Sequence, residues 1–264
     1  RPVVGVMSSP EGVLGGQFNP MMMQMGQRPP QGWAAFSELA KDYDVRQVAV
    51  DVDQIDPEIK ALVVLHPKSL SDKTLYAIDQ FVLGGGKLIA CVDPFSVKDM
   101  IASRSRQNPM MMQAGGGDGP STLGKLFDEW GIKFDTDMIA CDLSASTKLN
   151  NGQGGVEDNP AFLTLGEANM DSSDLLMSGL SQLMMPFSGS FVFEGKDKDL
   201  KFESVITTSK SNSSKVNKMT IQFGGGIKDM VPQEGSLILA GRLHGKFKTA
   251  YPNGPDGTND VSKA

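Results

Sequence analysis

The stretch that most constrains this chain runs from Ala61 to Pro94, "ALVVLHPKSLSDKTLYAIDQFVLGGGKLIACVDP". It opens on an unbroken apolar run stopped by Pro67, and it closes on a second such run from Lys87 to Pro94. Between them Leu75, Ile78, Phe81 and Val82 recur at helical spacing, with Ser71 or Asp72 in position to cap the helix and Gly84, Gly85 and Gly86 to stop it. Apolar runs that do not alternate belong to strands covered on both faces, and two strands joined through a helix pair in parallel by a right-handed crossover. The segment therefore predicts one βαβ unit.

The same grammar extends in both directions. "VVGVMSS" (Val3 to Ser9) reads as a first strand, "WAAFSELAKDY" as a helix with Trp33, Phe36, Leu39 and Ala40 on one face, and "VRQVAV" (Val45 to Val50) as a second strand. Further on, "STLGKLFDEWGI" predicts a helix capped by Ser121 and stopped by Gly131, and "DMIACDL" (Asp137 to Leu143) predicts a fifth strand of the same sheet. Residues 1–145 are thus expected to form an α/β domain with a mostly parallel, doubly wound sheet, of the flavodoxin and amidotransferase type.

After residue 145 the pattern changes. "NNGQGGVEDNP" reads as a loop, "SFVFEG" and "FESVITTS" as strands, "SKSNSSKVNK" as a polar connector, and "GSLILAGRLHGKFKTAYP" as a long strand or hairpin. A β-rich extension packed on the first domain is expected over 146–252. The residues from 253 to 264, with almost nothing to bury, are expected to be disordered and to lead toward a further segment. A chain of 264 residues can bury roughly three quarters of its unfolded surface, so two domains of this size need no staples.

Ligands of an open parallel sheet bind beyond the carboxyl ends of its strands. Ser8 and Ser9, His66 and Asp93 fall at that edge, as do two loops that each carry "NPMMMQ", placing Met21, Met22 and Met23 in one and Met110, Met111 and Met112 in the other. Methionine runs in Gly- and Pro-rich loops suit a flexible apolar contact surface, and their soft thioethers also suit Cu(I), although neither loop holds a histidine or cysteine. Cys91 with His66 as base is the one candidate catalytic pair. Ala90 and Val92 flank it and Pro94 follows, which does not suit a nucleophile elbow, and its apolar run predicts a buried thiol.

"VLGGGKL" ends a helix and enters a strand, the reverse of a phosphate loop, and "EGVLGG" lacks the dinucleotide spacing. His244 sits in an alternating strand pattern and reads as structural. Net charge is −6 with a pI near 5.0 and scattered basic residues, which excludes a nucleic-acid footprint. No cofactor, catalytic set or metal site is expected. Cys91 and Cys141 are read as buried thiols or, in an oxidising compartment, as one disulfide.

Taken together, "YDVRQV", "ALVVLHPKSLSDKTLYAIDQFVLGGGKLIACVDPFS", "LGKLFDEWGIKFDTDMIACDL" and "LAGRLHGKFKTAYP" resemble the auxiliary component of ABC-type transport systems, the GldG-like gliding-motility family. The resemblance covers nearly the whole chain and is weakest over the methionine loops and the tail. It implies a non-enzymatic region on the periplasmic side of the inner membrane, tethered by segments outside this chain, with an ABC permease and its ATPase as partners. An envelope protein or a small ligand would be a further partner. A periplasmic setting raises the prospect of a Cys91–Cys141 disulfide.

Overall fold

A computed structural model describes residues 1–10, 12–15, 31–97, 120–150, 154–195, 197–222, 227 and 230–256. The chain forms two compact units, Arg1–Val92 with the segment from Thr249 onward, and Asp93–Lys248. The division falls at Val92, not near residue 145, and residues 249–256 return to the first unit.

The first unit carries β1 (Val3–Ser8), α1 (Ala34–Leu39), β2 (Asp44–Val48), β3 (Ile59–Leu65), α2 (Asp72–Leu83) and β4 (Lys87–Cys91). Its sheet runs β2–β1–β3–β4 with every pair parallel, Val6 lying between Gln47 and Val63. The unbroken apolar runs correspond to central strands: Val6, Leu62 and Val64 are all essentially inaccessible. β4, at the edge, alternates exposed and half-buried residues, and its Ile89 is 55% exposed. Gly5 lets the strands pack closely around β1, since a side chain there would press on the side chains of Ile59 and Val48 from the neighbouring strands.

Helix α2 begins as its sequence dictates. The Ser71 hydroxyl accepts from the Thr74 amide at 3.2 Å, Leu75 and Ile78 face the core, and the helix ends at Gly84. A fully buried aspartate, Asp79, lies on the same helix. Its carboxylate accepts from the Thr249 hydroxyl at 2.6 Å and the Ala250 amide at 3.1 Å. The Tyr251 hydroxyl donates to Asp72 at 3.0 Å, and its ring meets Tyr76 edge-on at 5.8 Å. Burial, with the bond to Asp72, pushes the Tyr251 phenol well above its ordinary range. The expected long strand over 235–252 therefore ends early, and residues 249–251 strap α2 instead.

The second unit contains α3 (Lys125–Glu129), β5 (Ile132–Phe134), β6 (Met138–Asp142), β7 (Ser146–Asn150), β8 (Val156–Gly166), a 3₁₀ turn (Glu167–Asn169), β9 (Gln182–Pro186), β10 (Phe191–Phe193), β11 (Leu200–Thr207), β12 (Ser213–Asn217), α4 (Lys218–Gln222) and β13 (Ile238–Gly245). Among the described residues its sheets are β11–β13–β10–β5, β12–β6 and β7–β8–β9, all antiparallel. Leu163, Leu165 and Ala140 form one core with Ile206 and Leu239; Ile139, Cys141 and Ala161 form another with Phe95 and Phe187.

Four expectations are corrected here. The "DMIACDL" strand is not a fifth parallel strand: β6 pairs antiparallel with β12, Cys141 opposite Ser214. Ile139, Ala140 and Cys141 are all inaccessible, so β6 has the apolar signature of a doubly covered strand whatever its pairing. Its partner β12 lies within the stretch read as a polar connector. The stretch read as a loop supplies half of β8, where the register slips from Ser146–Leu163 to Thr147–Asn159. That irregularity takes Pro160 out of the ladder it cannot serve, while the Asn159 side chain accepts from the Ala161 amide at 3.0 Å. Ser121 does not cap α3. The helix follows Gly124, while the Ser121 hydroxyl accepts from the Asp93 amide at 2.8 Å.

Candidate functional site

At the carboxyl edge of the parallel sheet, β1 ends on Ser8 with Ser9 following it, and β3 ends one residue before His66. The structure joins these termini through hydrogen bonds of the two serines to main chain. The Ser8 hydroxyl donates to the Pro10 carbonyl at 2.8 Å, the Ser9 amide donates to the Leu65 carbonyl at 3.2 Å, and the Ser9 hydroxyl accepts from the Lys68 amide at 3.0 Å. His66 and Ser69 both adopt positive φ, 46° and 48°, so the chain turns sharply between β3 and α2. Two left-handed side-chain-bearing residues within four positions are the kind of local strain that persists where surrounding contacts over-determine the backbone.

His66 and Cys91 are neighbours by main chain, the His66 amide donating to the Cys91 carbonyl at 2.8 Å. The imidazole is buried, at 5% exposure, whereas Cys91 is exposed, contrary to the burial expected for it. The reason is its place on an edge strand, which single-strand hydrophobicity does not reveal. Asp93 belongs to the second unit, where the Ser121 amide donates to its carbonyl at 2.9 Å. The two methionine triplets, residues 21–23 and 110–112, lie outside the described residues, and so do residues 257–264 of the expected tail. Among the described residues no cluster of His, Cys, Asp and Glu is arranged to hold a metal ion.

The two thiols differ in a way that chemistry reads directly. Neither cysteine is in a disulfide; Cys91 lies on the surface of one unit and Cys141 at zero exposure in the other. Burial, then the neighbouring Asp142 charge, pushes the Cys141 thiol up to about 12 from 9.0. Under native conditions at pH 8 a colorimetric disulfide reagent is expected to titrate one thiol per chain, and two in denaturant; Cys91→Ser should remove the native signal. Two native thiols, or none, would contradict this placement. Because the folded chain retains the Cys141 proton where the unfolded chain releases it, this contribution to stability is complete below about pH 9 and is lost as pH rises toward 12. The slope is on the order of 1.4 kcal/mol per pH unit, and Cys141→Ala should flatten it.

A hollow of about 820 Å³ opens in the second unit where α3 runs into β5. Gly131, at φ 71°, makes the turn, and its carbonyl accepts from the Glu194 amide at 2.7 Å. Trp130 anchors the wall through an edge-on contact with Phe247 at 5.2 Å and an indole bond to the Lys248 carbonyl at 3.4 Å. Lys248 pairs with Asp197 at 2.7 Å and Lys133 with Asp128 at 3.1 Å. The bond to Lys248 holds the Asp197 carboxyl below its usual range, and the same bond raises the lysine. Both pairs face water and contribute little to stability. No sequence signal marked this hollow, since its walls come from α3, β5, the β10–β11 connection, the start of β11 and the residue after Phe247.

The fold is a mixed α/β protein of two units, one a parallel four-stranded sheet with helices and the other antiparallel. Among the described residues no helix is long and apolar enough to cross a membrane. The family described as an ABC-type uncharacterized transport system matches residues 1–264, and the chain belongs to it, as an auxiliary component of an ABC-type transport system. Comparison with curated proteins and with solved structures gives no match.

Proposed function

We propose that this chain is a non-enzymatic accessory component of its transport system, of the GldG-like kind, lying on the periplasmic side of the inner membrane and associating with an ABC permease and its ATPase. The observation that carries the reading is the family match along the entire chain. In this reading the first unit is a small doubly wound, flavodoxin-like scaffold. Its strand order, with β2 on one side of β1 and β3–β4 on the other, supports that reading. The second unit is the β-rich extension that offers contact surface.

The carboxyl edge favours binding over catalysis. Ser8 donates to main chain and Ser9 accepts from it, and His66 is joined to Cys91 through the backbone, its amide donating to the Cys91 carbonyl. Met21–Met23 and Met110–Met112 are the proposed contact loops, with an envelope component or small ligand as a further partner. The test is a pull-down of the full-length protein from detergent-solubilised membranes, compared with a variant whose two methionine triplets are replaced by serine. Recovery of a permease and ATPase with the wild type, lost in the variant, supports both the role and the loops. Equal recovery keeps the role and removes the loops from it. Recovery of no transporter subunit sinks the association.

A further inference from the structure

A hollow of about 600 Å³ lies at the opposite, amino edge of the parallel sheet, between the β2–β3 connection and the C-terminal end of α2. Its volume falls within the range of small-molecule sites. Ile55, Tyr76 and Phe81 give it an apolar floor, and Asp53, Lys60 and Gln80 give it polar groups.

Both rings are held in place before any ligand arrives. Phe81 lies against Gly86, where any side chain would collide with the ring, and the Gly86 amide donates to the Phe81 carbonyl at 2.9 Å. Tyr76 is braced by the edge of Tyr251, itself bonded to Asp72.

The polar groups are mostly acceptors. The Gln80 amide nitrogen donates to the buried Asp79 carboxylate at 3.0 Å, which ties down one of its two N–H groups and orients the Gln80 oxygen as an acceptor for a ligand. Asp53 contributes an exposed carboxylate, and the hollow reaches Gly84–Gly86, where α2 ends and the negative pole of its dipole emerges. The one cation, Lys60, is partly engaged by the Pro57 carbonyl at 3.4 Å.

Acceptors around two fixed rings suit a donor that is positively charged and attached to an apolar body, because aromatic rings attract cations as well as burying hydrocarbon. We infer that this hollow is a binding site for a small organic cation, an ammonium or guanidinium group carrying an apolar or aromatic moiety, with Asp53 and Gln80 receiving the charge and Tyr76 and Phe81 the body. The inference does not rest on the transport association, and its test involves no transporter subunit.

Phenethylammonium chloride is titrated into the isotope-labelled chain while the amide resonances of Gly84, Gly85 and Gly86 are followed. A saturable shift is expected, weakened about tenfold in Asp53→Asn, the loss that corresponds to one charge-assisted hydrogen bond. Asp53 is exposed, so this variant should fold normally. 3-Phenylpropionate, with a similar body and the opposite charge, should leave the resonances in place. An absent or non-saturating shift, equal binding of the phenylpropionate, or unchanged affinity in Asp53→Asn would each overturn the assignment.

Discussion

Asp79→Ala is expected to destabilise the first unit by about 3 kcal/mol, because it removes a buried carboxylate that accepts from two groups of the returning chain. The Thr249 hydroxyl and the Ala250 amide would be left without that acceptor, and the contacts of Tyr251 with Asp72 and Tyr76 would have to hold the segment alone. Thr249→Val removes one of the two bonds and should cost only about 1 kcal/mol. Native-state hydrogen exchange is the suitable measurement, since it reports on each unit separately where a single melting curve would not. Amides of β1 and β3 should lose protection in Asp79→Ala while those of β8 do not. Equal protection in wild type and variant would mean that the strap contributes nothing to the sheet.

Gly131→Ala is expected to cost the second unit about 3 kcal/mol or more. Two effects add at this position. The backbone sits at φ 71°, where an L side chain is strained, and a Cβ would collide with the main chain of Gly195 across the turn. Backbone cannot yield as a flexible side chain can, so the bond from the Glu194 amide to the Gly131 carbonyl would be disrupted as well. Gly85→Ala provides the comparison: φ is 89°, but a Cβ there meets nothing within 4 Å, so only the conformational cost of about 1 kcal/mol applies. Chemical denaturation followed by tryptophan fluorescence reads the first variant well, because Trp130 adjoins the substituted residue. If the two glycine variants lose similar stability, the close approach of Gly131 and Gly195 is not a determinant of this fold.

The elements that could be read from residues alone are those whose signal is local. Helix α2 is legible because Ser71, the stripe through Leu75 and Ile78, and Gly84 each act within one or two turns. The parallel strands β1 and β3 are legible because burial on both faces forces an uninterrupted apolar run. The burial that the apolar run predicts for Cys91 fails for a related reason. Its run resembles that of β3, but β4 stands at the edge of the sheet, and edge or centre is a property of the neighbours. β12 is not legible because four of the five residues of "SSKVN" are polar, and only their pairing with β6 makes them a strand.

The candidate sites divide along the same line. Ser8, Ser9 and His66 could be placed at one sheet edge from the order of strands and helices, since connection rules determine where strand ends meet. Neither hollow was legible. The one at Trp130 depends on residues brought from the start and the end of the second unit, and the one at Tyr76 and Phe81 depends on how the β2–β3 connection folds against the end of α2.

By itself, then, the sequence determined the βαβ core, its helix caps and the edge where its strands end, because periodicity, capping and crossover handedness act over short stretches of chain. Only the tertiary structure decided that β6 pairs antiparallel, that the units divide after Val92, and that Thr249–Tyr251 comes back to Asp79 and Asp72. Those features are set by hydrogen bonds and burial between residues far apart in the chain, and such pairings leave no mark on the local pattern of either partner.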